Sequence, residues 1–284
     1  MNACVRPMEE QSRTPAAAAC HRGKIVFRSL AGMPPRDFFL YVPHQADAAS
    51  PVVVLVHGIA RNAAEHAFRF RPEADKAAAI LVAPLFLADA YGQYQQVVDP
   101  RSGVRADLAL FDMLAAVGAE TGARADPFYL FGFSGGAQFA HRLAMLHPER
   151  VAAISVAAAG WYTLPDPELR YPLGTGSSPV SRRRFDPDRF LTVPRHVLIG
   201  ESDVSRDASL RKNRTLDRLQ GRTRLARAHS WFGAMERVSE ERGVRSTPAS
   251  LTLLPGAGHN FTEAAERHRL AETVFRSFGL LPPD

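Results

Sequence analysis

Cysteine and lysine are nearly missing from this sequence. The two cysteines, Cys4 and Cys20, both precede the first periodic segment, so neither can staple a core or act as a nucleophile within one. Cysteine usage therefore leaves the redox compartment open. The lysines are Lys24, Lys76 and Lys212, so 32 of the 35 basic residues are arginines. Against 29 acidic residues these give a net charge of +6, a general field that favours anionic or carboxylate-bearing molecules. The densest basic run is only Arg182-Arg183-Arg184, which reads as a solvated loop or an anion contact, and no nucleic-acid-binding module is legible. No run approaches the roughly 20 apolar residues of a membrane span. The N-terminus lacks the basic start and apolar stretch of about 7 to 15 residues that mark an export signal. A cytoplasmic protein with no nucleic-acid and no membrane partner is expected.

Several motifs are missing too. The sequence has no H-E-x-x-H, no cysteine–histidine cluster, no P-loop and no strand-linked G-x-G-x-x-G, so no metal and no cofactor is expected. Gly174-Thr175-Gly176-Ser177 falls in an irregular stretch and reads as loop. No internal repeat or low-complexity segment is present.

What is there is a full-sized core. Of 284 residues 46% are hydrophobic and 23% charged, which suits one large α/β domain over 24–284 after a polar leader, 1–23. Lys24 to Leu30 and Asp37 to Val42 read as two early strands joined by a turn. Pro51 to Val56 is an almost unbroken apolar run, the pattern of a strand buried on both faces of a parallel sheet. Asn62 with Glu65 offers a capping box for a helix reaching about Ala78. Strands are then expected at Ala79–Phe86, Phe128–Phe133, Val151–Ala159, Arg195–Gly200 and Ser250–Leu254. Helices are expected at Val104–Gly118 and Gly135–His147, over much of Ala208–Gly243, and as an amphipathic closing helix at Glu263–Phe278. Such alternation means βαβ crossovers and a mostly parallel sheet with helices on both faces. Residues 161–194 break the pattern with six prolines and two glycines, too long for an ordinary connection, and read as an insertion or lid-like loop near the site.

Between the third buried strand and its helix stands Gly132-Phe133-Ser134-Gly135-Gly136. A strand reversing straight into a helix leaves no room for side chains two residues before and two after the apex. Ser134 would project its hydroxyl from the sheet, at the positive end of the helix dipole. That is the setting of a nucleophile. A serine hydroxyl needs a base, and the base an orienting acid. Asp203 follows the strand ending at Gly200, and His259 follows the last strand in a glycine-rich turn, both at carboxyl ends where parallel sheets build their sites. Glu201 and Asp207 compete with Asp203 for the acid's place. His57-Gly58-Ile59-Ala60 supplies the loop for an oxyanion hole, with amide donors from Ile59 and Gly135 and with Ala60 as the alternative to Ile59. His57 itself reads as an organiser of that loop.

These residues, in the order His57-Gly58, Gly132 to Gly136, Asp203 and His259, resemble the serine-dependent α/β-hydrolases over about residues 24 to 280. Arg105-Ala106-Asp107, His147-Pro148-Glu149-Arg150 and Ala159-Gly160-Trp161 resemble the polyhydroxybutyrate depolymerase and feruloyl esterase group within it. The resemblance implies an α/β-hydrolase fold and acyl transfer through an acyl-enzyme, with a small-molecule or oligomeric ester, hydroxyalkanoate or aromatic, as the partner. Amide or peptide hydrolysis by the same triad is the alternative, and a non-catalytic binder of the same fold is the reading from another class. Tyr94, Trp161, Tyr162 and Trp231 are expected to wall the substrate pocket, with Tyr91 and Phe232 as further aromatics against which ordinary packing has to be weighed.

Overall fold

The computed structural model describes residues 21–177, 185–244 and 247–283. Cys4, Cys20, residues 1–20 of the expected leader and the Arg182–Arg184 run lie outside the described residues. Two strands open the chain, β1 (Ile25–Leu30) and β2 (Arg36–Tyr41), paired antiparallel. Six more follow: β3 (Val52–Val56), β4 (Ile80–Leu85), β5 (Phe128–Phe133), β6 (Val151–Ala157), β7 (Arg195–Gly200) and β8 (Ala249–Leu254). Together they form one sheet in the order β1-β2-β4-β3-β5-β6-β7-β8, parallel from β4 to β8. The run Val52–Val56 is buried along its whole length, as a strand covered on both faces must be. Pro84, which cannot donate to a ladder, stands past Val82, the last residue of β4 that pairs with β3.

The strand order places the site. After β3 the chain adds β4 on one side, then crosses to add β5 on the other. The loops leaving β3 and β5 therefore part in opposite directions and leave a crevice at their carboxyl ends.

The helices are α1 (Ala63–Ala77), α2 (Ala106–Thr121), α3 (Gly135–Leu146), α4 (Pro187–Leu191), α5 (Arg214–Gln220), α6 (Arg224–Glu241), α7 (Phe261–Arg267) and α8 (Leu270–Ser277). All twelve residues of α3 are buried. The expected capping box at the start of α1 does not form. Asn62 Nδ2 instead donates to Glu65 Oε2 at 2.7 Å, while the other oxygen of Glu65 accepts from Thr262 of α7, so both side chains are engaged away from the helix amides. The single closing helix is also corrected. It breaks at Arg269, whose φ is +52°, so that Phe261 and Ala264 of α7 and Leu270, Val274 and Phe275 of α8 each reach the core on their own axes.

The described part of 161–194 is pinned rather than loose. Trp161, Tyr162 and Thr163 are buried, and the chain then folds back on itself through Leu164 N–H to Leu173 O and Thr175 N–H to Asp166 O, both 2.9 Å. Gly174 and Gly176 are glycines because a Cβ at either would meet the backbone of residues 166–169. Among the described residues, no helix is long and apolar enough to cross a membrane.

Candidate active site

Ser134 sits between β5 and α3 with φ +54° and ψ −110°, a conformation that costs energy in any residue with a side chain. The surroundings enforce it. Ser134 N–H is held by Ala157 O of β6 at 2.8 Å, and its carbonyl accepts from Gln138 N–H at 3.2 Å. A Cβ on Gly132 would collide with the Gly136 carbonyl, and one on Gly136 with the Val56 carbonyl, so β5, α3 and β3 meet at van der Waals limits. The sharp turn leaves the Ser134 side chain partly exposed over a buried helix.

Asp203 and His259 reach the serine from two loops tied to each other. Ser202 N–H donates to Ala257 O at 2.9 Å, Glu201 N–H to Leu254 O at 3.1 Å, and Asp203 N–H turns back to Gly200 O at 3.0 Å. His259 Nε2 lies 3.1 Å from Ser134 Oγ, and its Nδ1 lies 2.9 Å from Asp203 Oδ2. The ring stacks on Phe133 at 5.4 Å between centroids. Asp203 is buried, whereas Glu201 is exposed and accepts from Gly256 N–H at 3.3 Å, away from the imidazole. Asp207 is turned to Arg224. Of the three carboxylates weighed from the sequence, Asp203 alone is hydrogen-bonded to His259.

The loop after β3 completes the group. Gly58 has its Cβ position 3.4 Å from Ser134 Cβ, and the Cβ position of Gly135 is 3.4 Å from Ile59 N, so the two stretches of backbone that carry the expected amide donors adjoin. Ile59 itself is 54% exposed, so this loop reaches the surface. His57 is buried and organises this loop. Its Nε2 accepts Phe86 N–H at 3.0 Å and its Nδ1 donates to Gly58 O at 2.7 Å, an arrangement that requires the neutral ring. Burial pushes its pKa down to about 4.

The expected pocket walls fare differently. Tyr94 lies beside the turn that carries Ser134, its hydroxyl 2.8 Å from the Cβ position of Gly135, but the ring is buried and the hydroxyl donates to His57 O at 2.8 Å. It braces the loop. Tyr162 and Trp231 are corrected to core residues: their rings stack 4.9 Å apart with no exposed surface, and Trp231 Nε1 donates to Thr163 O at 2.8 Å. Gln220 fixes both backbone groups of Tyr162, turning the chain inward after β6. Trp161 is only 5% exposed and lies between the guanidinium groups of Arg142 at 4.2 Å and Arg211 at 5.5 Å. Tyr91 is buried with its hydroxyl on Pro35 O, and Phe232 packs against the core. Aromatics just after a strand end cannot be told from core aromatics by position alone.

Two groups escaped the sequence. Arg105 and His147 both bind Asp107, at 2.8 Å from Arg105 Nε and 2.9 Å from His147 Nε2, so two of the stretches singled out for family resemblance meet around a buried carboxylate. Burial alone would raise the Asp107 carboxyl, but these partners hold it down to about 2. Arg224 reaches Asp203, and nothing in its neighbourhood in the sequence marks it. A cleft of about 790 Å³ lined by His196, Ser250, Thr252 and Arg276 lies at the opposite ends of β7 and β8 and touches none of Ser134, Asp203 and His259.

No protein-family model matches the sequence, and no curated protein matches it. Solved structures do. The fold is similar to that of poly(aspartic acid) hydrolase-1 from Sphingomonas sp. KT-1, at TM-score 0.77 and 22% identity over 90% of this chain and 100% of that one. It is similar to the poly(3-hydroxybutyrate) depolymerase LpqC from Bordetella parapertussis, at TM-score 0.75 and 27% identity over 93% of each chain. A ferulic acid esterase aligns at TM-score 0.63 and 16% identity over 92% of this chain and 100% of that one. The eight-strand, mostly parallel sheet and these likenesses show that the chain has the α/β-hydrolase fold. Within that fold its likeness is to the serine esterases, the depolymerase and feruloyl esterase group among them.

Proposed function

We propose that this α/β-hydrolase cleaves carboxylic esters through an acyl-enzyme, with Ser134 as nucleophile, His259 as base and then acid, and Asp203 as the orienting carboxylate. The observation that carries the reading is the hydrogen-bonded chain from Ser134 Oγ to His259 Nε2 and from His259 Nδ1 to Asp203 Oδ2, at 3.1 and 2.9 Å. His259 takes the serine proton as Oγ attacks the ester carbonyl, then returns it to the leaving alcohol. Water repeats the cycle on the acyl-enzyme. The amides of Ile59 and Gly135 receive the negative oxygen, a contribution of about 3 kcal/mol per donor in sites of this kind. The N-terminus of the buried helix α3 adds its dipole. Exposed Ile59 and Val204 give the loops on either side of the triad apolar lips, which suits the carbon skeleton of a hydroxyalkanoate or aromatic ester.

Amide hydrolysis is the second reading, supported by the likeness to a hydrolase whose named substrate, poly(aspartic acid), is a polyamide. Two measurements test both. A fluorophosphonate probe is expected to label the folded protein, with labelling lost in Ser134→Ala, and p-nitrophenyl esters are expected to turn over faster than matched anilides. A folded protein that never labels would leave the non-catalytic binder. Anilide turnover at or above ester turnover would make it an amidase.

A further inference from the structure

Arg224 opens α6, and its side chain is 1% exposed. The guanidinium reaches two carboxylates at once. Nη1 donates to Asp203 Oδ1 at 3.2 Å and to Asp207 Oδ2 at 2.8 Å, while Nη2 donates to Asp207 Oδ1 at 3.1 Å and to Ser209 Oγ at 2.6 Å. The two oxygens of Asp203 are thus divided, Oδ1 to the guanidinium and Oδ2 to the imidazole. The backbone repeats the link, since Leu225 N–H donates to Asp203 O at 3.3 Å. Asp207 is the more exposed partner, and the Arg224 hydrogen bonds hold its carboxyl far below the usual carboxylate range.

A carboxylate taken out of water needs every lone pair engaged, and a planar fork fixes such a group in a way a lysine does not. We propose that Arg224 is a positioning residue of the triad: with Asp207 as its counter-ion, it sets the plane of the Asp203 carboxylate so that Oδ2 faces His259, and it tempers the negative field the imidazole feels. This rests on the triad assigned above.

Among the described residues, these charged and titratable groups stand on the elements around His259 and Asp203. From the acid loop come Asp207 and exposed Glu201; from α6, Arg224; from α5, Asp217, bound by Arg206 and Arg227. The buried hydroxyl of Tyr162 is kept neutral by burial. From α1, Glu65 bonds Thr262, and His66, stacked on Phe261, is held neutral by burial, at about 3. Of these, only Arg224 contacts Asp203 directly by side chain, and only Asp207 and Ser209 share its fork. Removing the arginine leaves the Asp203 charge uncompensated, so the imidazolium is held more tightly. Removing the Asp207 charge does the reverse.

The test is the pH profile of kcat/KM for a p-nitrophenyl ester in the full chain, with Arg224→Gln, Arg224→Lys, Asp207→Asn and, in parallel, Ser134→Ala. Arg224→Gln is expected to lower kcat about 10- to 100-fold with KM within about twofold, as a misplaced catalytic group does. Its acid limb is expected to move up by roughly half a unit to one unit. Arg224→Lys returns the limb to its place, and Asp207→Asn moves it down. If Arg224→Gln does not fold, Asp207→Asn, at a part-exposed carboxylate, carries the test by its sign. Limbs that stay put, or that move the same way in Arg224→Gln and Asp207→Asn, overturn the positioning role. Full turnover by Ser134→Ala would instead overturn the serine mechanism itself, so the two failures are told apart.

Discussion

Tyr94 Oη donates a 2.8 Å hydrogen bond to the carbonyl of His57 while standing 2.8 Å from where a Cβ on Gly135 would lie. One side chain thus fixes the loop that carries one expected oxyanion donor and limits the space beside the other. Tyr94→Phe is expected to keep the fold, at a cost of about 1 kcal/mol, and to lower kcat about tenfold with little change in KM, because a loosened donor weakens only the transition state. Steady-state kinetics with a soluble ester reads this directly.

Acid choice is the second prediction. Asp203→Asn is expected to lower kcat by about 10³- to 10⁴-fold, since the amide favours the wrong tautomer of the imidazole. Glu201→Gln is expected to stay within about twofold, as a substitution at an exposed carboxylate clear of His259 should. Equal losses in the two variants would contradict the hydrogen bond between His259 and Asp203.

Stability should fall on acidification in two stages. His57 and His66 ordinarily titrate at 6.5 but are held at about 4 and about 3 in the fold. Below pH 6.5 the unfolded chain takes up protons that the folded one refuses, so this stability is complete above 6.5 and is lost progressively down to about pH 3. Asp107, lowered from 3.8 to about 2, acts in the same direction over a lower window: its contribution of about 2 kcal/mol is present above 3.8 and lost as pH falls through 2. Urea melts between pH 8 and 4 should show falling stability before Asp107 begins to titrate.

Glycine substitutions give a sharp contrast. Gly132→Ala and Gly136→Ala each drive a methyl group into backbone, at Gly136 and Val56 respectively, and are expected to cost more than about 3 kcal/mol or to prevent folding. Gly258→Ala, with nothing within 4 Å of its Cβ position, should change stability by less than about 0.5 kcal/mol. Thermal melts of the three variants check it.

Much of this architecture was legible because it is written in local patterns. Phe128–Phe133 and Arg195–Gly200 match the bounds of their apolar runs, and the turn at Ser134 is spelled by two glycines that the packing of two strands and a helix demands. The order Ser134, Asp203, His259 was readable for the same reason, each residue following a strand. Long-range pairing was not. Arg224 is one arginine among 32, and its contact with Asp203 depends on how α6 docks, which no nearby residue announces. The aromatic residues misled in the same way: whether Tyr162 or Trp231 lines a cavity or fills the interior is set by Gln220 and Thr163, 58 and 68 residues from the groups they bond. The break at Arg269 was hidden because the apolar spacing on its two sides nearly continues.

The complete enclosure of α3 has a consequence for how this enzyme could acquire new specificity. With all twelve positions from Gly135 to Leu146 out of solvent, the segment behind Ser134 offers nothing to vary without disturbing its neighbours. Adaptation to another substrate is left to the rim, at Ile59 and Ala60 in one loop and Val204 in another, where the residues are exposed and can be exchanged while the central axle of the molecule stays untouched.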